Sequence, residues 1–119
     1  MQIMVVDEQP DIANSVTSLL QIAGYSVRTC YDGPSALNAS RDERPDVMIV
    51  DVGMPGMTGY ELAQLVRRDA QLNSIKLIAL TGYGREQDRA HAIDAGFNVH
   101  LTKPVTFEHL ERALADLQG

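Results

Sequence analysis

Five short apolar runs, separated by longer segments of helical period, leave this 119-residue chain few folds to choose from. The runs are Ile3 to Val6, Tyr25 to Cys30, Val47 to Val50, Leu77 to Leu80 and Phe97 to Leu101, each of strand length. After the first run, Ile12, Val16, Leu19, Leu20 and Ala23 follow an i, i+4, i+7, i+8 spacing. Pro10 suits the first turn of that helix and Gly24 its end. Gly33-Pro34 opens a second helix, and Thr58-Gly59-Tyr60-Glu61 is a capping-box pattern ahead of Leu62, Leu65 and Val66. Gly96 closes a fourth helix near Ile93. Thr106 precedes a fifth, with Leu110, Ala113, Leu114 and Leu117 on one face. Five strand-helix units joined by right-handed crossovers predict an α/β, doubly wound (βα)5 sandwich, with a parallel sheet between two helical layers.

The texture of the runs also predicts the strand order. The first, third and fourth runs are continuously apolar, as strands covered on both faces should be. The second and fifth alternate with polar residues, as edge strands can. An order of 2-1-3-4-5 satisfies this and puts the switch point, where such folds bind ligands, between strands one and three.

Composition narrows the function classes. A chain of this length makes one domain, residues 1–119. Its net charge of −6 argues against direct contact with nucleic acid or an anionic membrane, since either needs clustered Lys and Arg. The lone cysteine, Cys30, permits no internal disulfide and reads as a half-buried structural thiol in a reducing, cytoplasmic setting. No apolar stretch approaches the roughly 20 residues of a membrane span, and Met1-Gln2-Ile3-Met4 lacks the basic region of a signal peptide.

The chemistry collects where the strands end. Asp51 follows Val47 to Val50 and precedes Gly53, Pro55 and Gly56; Asp7 and Glu8 follow Ile3 to Val6. In one parallel sheet, all three acids open at the same edge. Like charges that close read as a divalent metal site or a coupled acid pair. Thr81 ends the fourth strand and Lys103 the fifth. A carboxylate nucleophile, metal-binding acids, a hydroxyl and a mobile cation suit phosphoryl transfer onto an aspartate.

At these residues the chain resembles the receiver domains of two-component response regulators, which have a flavodoxin-like fold. The resemblance rests on Val5-Val6-Asp7-Glu8-Gln9-Pro10-Asp11, Asp51-Val52-Gly53-Met54-Pro55-Gly56-Met57-Thr58-Gly59-Tyr60, Ala79-Leu80-Thr81-Gly82-Tyr83-Gly84 and Leu101-Thr102-Lys103-Pro104-Val105. It implies a phosphorelay switch, not a conventional enzyme, that catalyses its own aspartyl phosphorylation and dephosphorylation. Asp51 is then the phosphoacceptor, taking its phosphoryl group from a histidine kinase or phosphotransfer protein. Mg²⁺ is bound by Glu8, Asp51 and the Gly53 backbone carbonyl, with Asp7 acting through water, and Thr81 and Lys103 hold phosphoryl oxygens. Thr81 and His100 are implied as switch residues that reshape the surface of the fourth helix, fifth strand and fifth helix. The resemblance also implies a cis Lys103-Pro104 bond, and an output module on another or longer chain. The texture from Gly96 to Val105 is most similar to receivers attached to hybrid histidine kinases.

The chain departs from the family pattern at Glu8, whose extra methylene could shift a bound ion, and at His100, which stands where Tyr or Phe is usual. Taken alone, Thr81 reads as a turn or capping hydroxyl, Lys103 as a surface lysine, and His91 and His109 as solvated helix residues. Tyr83 reads equally as a shield for the acyl phosphate or as a loop side chain. A flavodoxin-type nucleotide binder would share the fold, but Glu8-Gln9-Pro10-Asp11 would repel phosphate. A phosphohydrolase would want a second acid where Gly53 stands. A degenerate receiver that only docks is the remaining alternative.

Overall fold

A computed structural model of the chain describes residues 1–82 and 86–118. Five strands, β1 (Gln2–Val6), β2 (Ser26–Cys30), β3 (Val47–Asp51), β4 (Lys76–Thr81) and β5 (Val99–Thr102), alternate with five helices. The helices are α1 (Pro10–Ile22), α2 (Gly33–Asp42), α3 (Gly59–Arg68), α4 (Glu86–Ala95) and α5 (Phe107–Gln118). All strand pairings are parallel and the order is β2-β1-β3-β4-β5. The central strands are buried almost throughout, whereas β2 and β5 are partly exposed, so the expected order and edge assignment hold.

Period-two alternation divides the core in two. Met4, Val6, Met48, Val50, Leu77 and Ala79 face α2, α3 and α4; Ile3, Val5, Val47, Ile49, Ile78 and Leu80 face α1 and α5. Burying both faces of a parallel sheet in this way supplies the main driving force for the fold.

Helix ends follow the local chemistry of the sequence. Pro10 stands in the first turn of α1, where its missing N–H costs nothing. Asp32 caps α2 by accepting from Ser35 N at 2.7 Å, and Thr58 caps α3 by accepting from Glu61 N at 3.2 Å. Thr106 accepts from His109 N at 3.1 Å at the start of α5. Gly24 and Gly96, both at positive φ, follow α1 and α4 as expected.

Three expectations shift in detail. The buried face of α1 is Ala13, Val16, Thr17 and Leu20, while Leu19 and Ala23 are exposed. The interior accepts Thr17 because its hydroxyl meets Thr29 Oγ1 at 2.7 Å, so a polar residue holds a position that the apolar stripe could not reveal. The fifth strand begins at Val99 instead of Phe97. There the Asn98 side chain accepts from Leu77 N at 2.8 Å and so substitutes for a strand partner, while Phe97 is buried against α3 and α4. Lys103 lies one residue past β5, although its N–H still bonds Thr81 O at 2.7 Å.

Candidate active site at the carboxyl edge of the sheet

The site is assembled by strand ends. β1 delivers Asp7, which is 1% exposed; its Oδ1 accepts from Gln9 N at 3.0 Å and its Oδ2 lies 3.3 Å from Lys103 Nζ. β3 ends on Asp51, whose Oδ1 accepts from Gly53 N at 3.1 Å and sits 3.1 Å from the same ammonium. One lysine thus bridges two carboxylates drawn from neighbouring strands. Gly59 keeps this edge tight, because a Cβ there would lie 2.6 Å from Val52 Cα and 2.7 Å from Asp51 O. Only glycine lets α3 start that close to the end of β3.

Above these groups opens a cleft of about 330 Å³, lined by Glu8, Gln9, Asp51, Val52, Gly53, Tyr60, Thr81, Gly82, Asp88 and Lys103. Glu8 is exposed on its rim. Among the described residues no three of Asp, Glu, His and Cys are grouped closely enough to hold a metal ion. The expected convergence of three acids is therefore realised for Asp7 and Asp51, while Glu8, on its longer side chain, lines the same cleft without joining them. Thr81 is buried, and its Oγ1 meets His100 Nε2 at 2.8 Å. The two residues expected to act as a switch are in direct contact across β4 and β5.

Electrostatics at this edge favour added positive charge. The Asp7 carboxyl is raised above its ordinary range, first by burial and also by the charge of Asp51, against the lowering effects of the Gln9 amide and Lys103. Burial works against the Asp7 charge, and an added cation at this edge would offset that cost. The donors around it, Glu8, Asp7, Asp51 and the Gly53 carbonyl, are all oxygens, the set that a hard ion such as Mg²⁺ takes. The donor types suit that ion, while among the described residues Glu8 is not drawn in with Asp7 and Asp51.

Sequence reasoning missed the α3–α4 wall. Tyr60 enters the cleft from the first turn of α3 and stacks on His91 of α4, ring centroids 3.7 Å apart and planes 11° from parallel. His91 is exposed as expected, yet it has an aromatic partner. Tyr60 stood out in the sequence as part of a capping box and at the end of the Asp51 motif but with no role in the site, and Asp88 not at all, because nothing local in α4 marks which of its residues line the cleft. Cys30 is buried, and burial pushes its thiol up, in line with a structural role. His109 is exposed. The Lys103–Pro104 bond is cis. Tyr83 lies outside the described residues.

Known proteins are similar to this chain in sequence and in fold. An uncharacterised 14.6 kDa protein of Leptolyngbya boryana is 40% identical over 105 residues, 88% of this chain and 80% of that one. The DNA-binding dual master transcriptional regulator RpaA of Synechocystis is 31% identical over 92% of this chain, which spans only 45% of RpaA. Among solved structures, the chemotaxis response regulator CheY4 of Vibrio cholerae superposes with a TM-score of 0.91 at 34% identity, covering 98% of this chain and 97% of that one. The receiver domain of the Pseudomonas aeruginosa sensor histidine kinase PA1611, solved with a magnesium ion in its active-site cleft, gives 0.88 at 28% identity, covering 97% and 94%. Residues 3–115 match the response regulator receiver domain, a span that takes in the five strands from the second residue of β1 onward and the acids, hydroxyl and lysine at their ends, and the chain belongs to that family.

Proposed function

We propose that this receiver domain takes a phosphoryl group onto Asp51 from a phosphohistidine of a histidine kinase or phosphotransfer protein, and relays the event through Thr81 and His100. Receiver domains are phosphoacceptor switches of two-component signalling. The observation that carries the assignment to Asp51 is the Lys103 bridge: the ammonium lies 3.1 Å from Asp51 Oδ1 at the mouth of a cleft that could admit a phosphoryl group.

In this reading an Asp51 carboxylate oxygen forms the bond to phosphorus as the donor's nitrogen or oxygen departs with its electron pair. Gly53 N holds Asp51 Oδ1 in place, so the nucleophile is presented in one orientation. Lys103 neutralises charge on a phosphoryl oxygen, and the Thr81 hydroxyl donates to another. Mg²⁺, held by Glu8, Asp51 and the Gly53 carbonyl with Asp7 behind a water, would supply further neutralisation of the phosphoryl oxygens. Among this chain's relatives, the PA1611 receiver domain holds magnesium in its active-site cleft, which supports the choice of ion.

The switch follows from the contact at 2.8 Å between Thr81 and His100. A hydroxyl bonds a charged acceptor more strongly than a neutral one, so a phosphoryl group draws Thr81 away and leaves His100 to turn inward. The surface of α4, β5 and α5 then changes shape. A few kcal/mol between the two poses suffices for one modification to shift the population. Any output module on a longer chain, as well as attachment to a hybrid kinase, belongs to this same proposal.

The test is incubation with a small labelled phosphodonor with and without Mg²⁺. The wild type should take up label only with the ion, and Asp51→Asn should take up none while keeping its fold. Undiminished labelling of Asp51→Asn would reject the assignment.

A further inference from the structure

Among the described residues that line the cleft, Asp88 is the acid that phosphoryl uptake does not employ. It stands in the first turn of α4 and lines the same cleft as Asp51 and Lys103. Its Oδ2 is shielded from solvent and accepts no hydrogen bond from any described residue. Buried polar atoms nearly always have a partner, and an orphan points to strain, an unplaced water or a catalytic duty. Here the orphan is a strong acceptor in the wall of a cleft lined by the nucleophile.

Its neighbourhood is aromatic. Tyr60, also in the cleft wall, has its phenol pushed up by burial and by the nearby charge of Asp88. The Tyr60 ring is fixed from outside by the stack on His91 and by Phe97, edge-on at 6.4 Å. Asp88 and His91 are three residues apart on one helix, so both lie on the face of α4 that meets α3.

We propose that Asp88 accepts the proton of the water that hydrolyses the Asp51 phosphate, and so sets the lifetime of the signal. This rests on Asp51 being the phosphoacceptor. The water oxygen forms a bond to phosphorus, and the bond from phosphorus to the Asp51 oxygen breaks, its electron pair returning to the carboxylate. The water's proton passes to Asp88 and from there to solvent, leaving inorganic phosphate and a free Asp51. The reaction needs no further reactant. Asp88 and Lys103 come from different elements, α4 and the end of β5, so the proton acceptor and the phosphoryl clamp reach the one cleft separately.

The experiment follows loss of label after the phosphodonor is removed, in Mg²⁺ buffer, for the wild type, Asp88→Asn and Asp88→Glu. Asn keeps the shape and removes the basic oxygen, and should slow first-order loss by about 10²-fold, the lower end of what a positioned proton acceptor contributes. Glu restores a carboxylate and should recover part of the rate. Loss from Asp88→Asn at the wild-type rate, or an Asp88→Glu variant as slow as Asp88→Asn, would overturn the proposal. If instead no protein takes up label at all, the assignment of Asp51 fails, and the two failures are told apart at the first time point.

Discussion

Asp7→Asn should stabilise the metal-free protein at neutral pH, although it removes one partner of an ion pair. Asp7 Oδ2 lies 3.3 Å from the Lys103 ammonium, an attraction of about 5 kcal/mol at an effective dielectric of about 20. Two carboxylate oxygens sharing one ammonium can be no more than about 6 Å apart, where they repel by about 3 kcal/mol. The remainder, about 2 kcal/mol in favour of ionised Asp7, is less than the several kcal/mol that removing a carboxylate from water costs. Burial wins, as the direction of the Asp7 shift also indicates. Asn keeps an oxygen for the Gln9 amide, so the net gain should be on the order of 1 kcal/mol. The pH dependence fixes the cause. Because the folded-state pKa of Asp7 lies above its unfolded value, the folded form binds the proton more tightly. Stability is thus lost as pH rises from the ordinary carboxylate range through the raised folded value. Urea unfolding in chelator should show Asp7→Asn ahead of wild type near pH 7, with the gap narrowing towards about pH 4. Saturating Mg²⁺ should raise the wild type more than the variant, by binding linkage. An Asp7→Asn protein that is less stable in chelator at neutral pH, or a gap that ignores pH, would refute the reasoning.

Arg67 donates to the carbonyls of Gly96, Asn73 and Ile75 and to Asn98 Oδ1, so Arg67→Met should lower stability by about 3 kcal/mol in urea unfolding by stranding several acceptors. Gly59→Ala forces a Cβ into the end of β3 and should cost about 1–3 kcal/mol, with slower labelling of Asp51 because the nucleophile shifts. Cys30 should react with a thiol reagent much more slowly in the native state than in urea, since burial holds it as a thiol. In amide NMR, phosphorylation should move His100 and the α4 backbone as well as residues around Asp51; shifts confined to the neighbourhood of Asp51 would reject the Thr81 relay.

Most of this architecture was legible because one rule, apolar on both faces or on one, separates central strands from edges. The contrast of Val47 to Val50 with Tyr25 to Cys30 marks one strand as central and the other as an edge. Asp7, Asp51, Thr81 and Lys103 were legible for a related reason: in a parallel sheet every strand ends at the same edge, so residues distant in sequence become neighbours by topology alone. What topology does not carry is side-chain length and helix rotation. Glu8 shares the edge, yet it stays on the rim, and α1 turns Thr17 inward because Thr29 waits there with a hydroxyl. The contribution of α3 and α4 to the cleft was invisible for the same reason. Tyr60 and Asp88 face it through the packing of two helices against each other, which no spacing within either helix encodes.

The central claim is that Asp51 is the residue modified, and chemical trapping of the acyl phosphate tests it most directly. Protein treated with a small phosphodonor and Mg²⁺ would be reduced with borohydride, which converts an aspartyl phosphate to homoserine, then digested and sequenced by mass spectrometry. The account predicts homoserine at position 51 and at no other aspartate, dependent on the phosphodonor. Homoserine at Asp7 or elsewhere with Asp51 intact would contradict it.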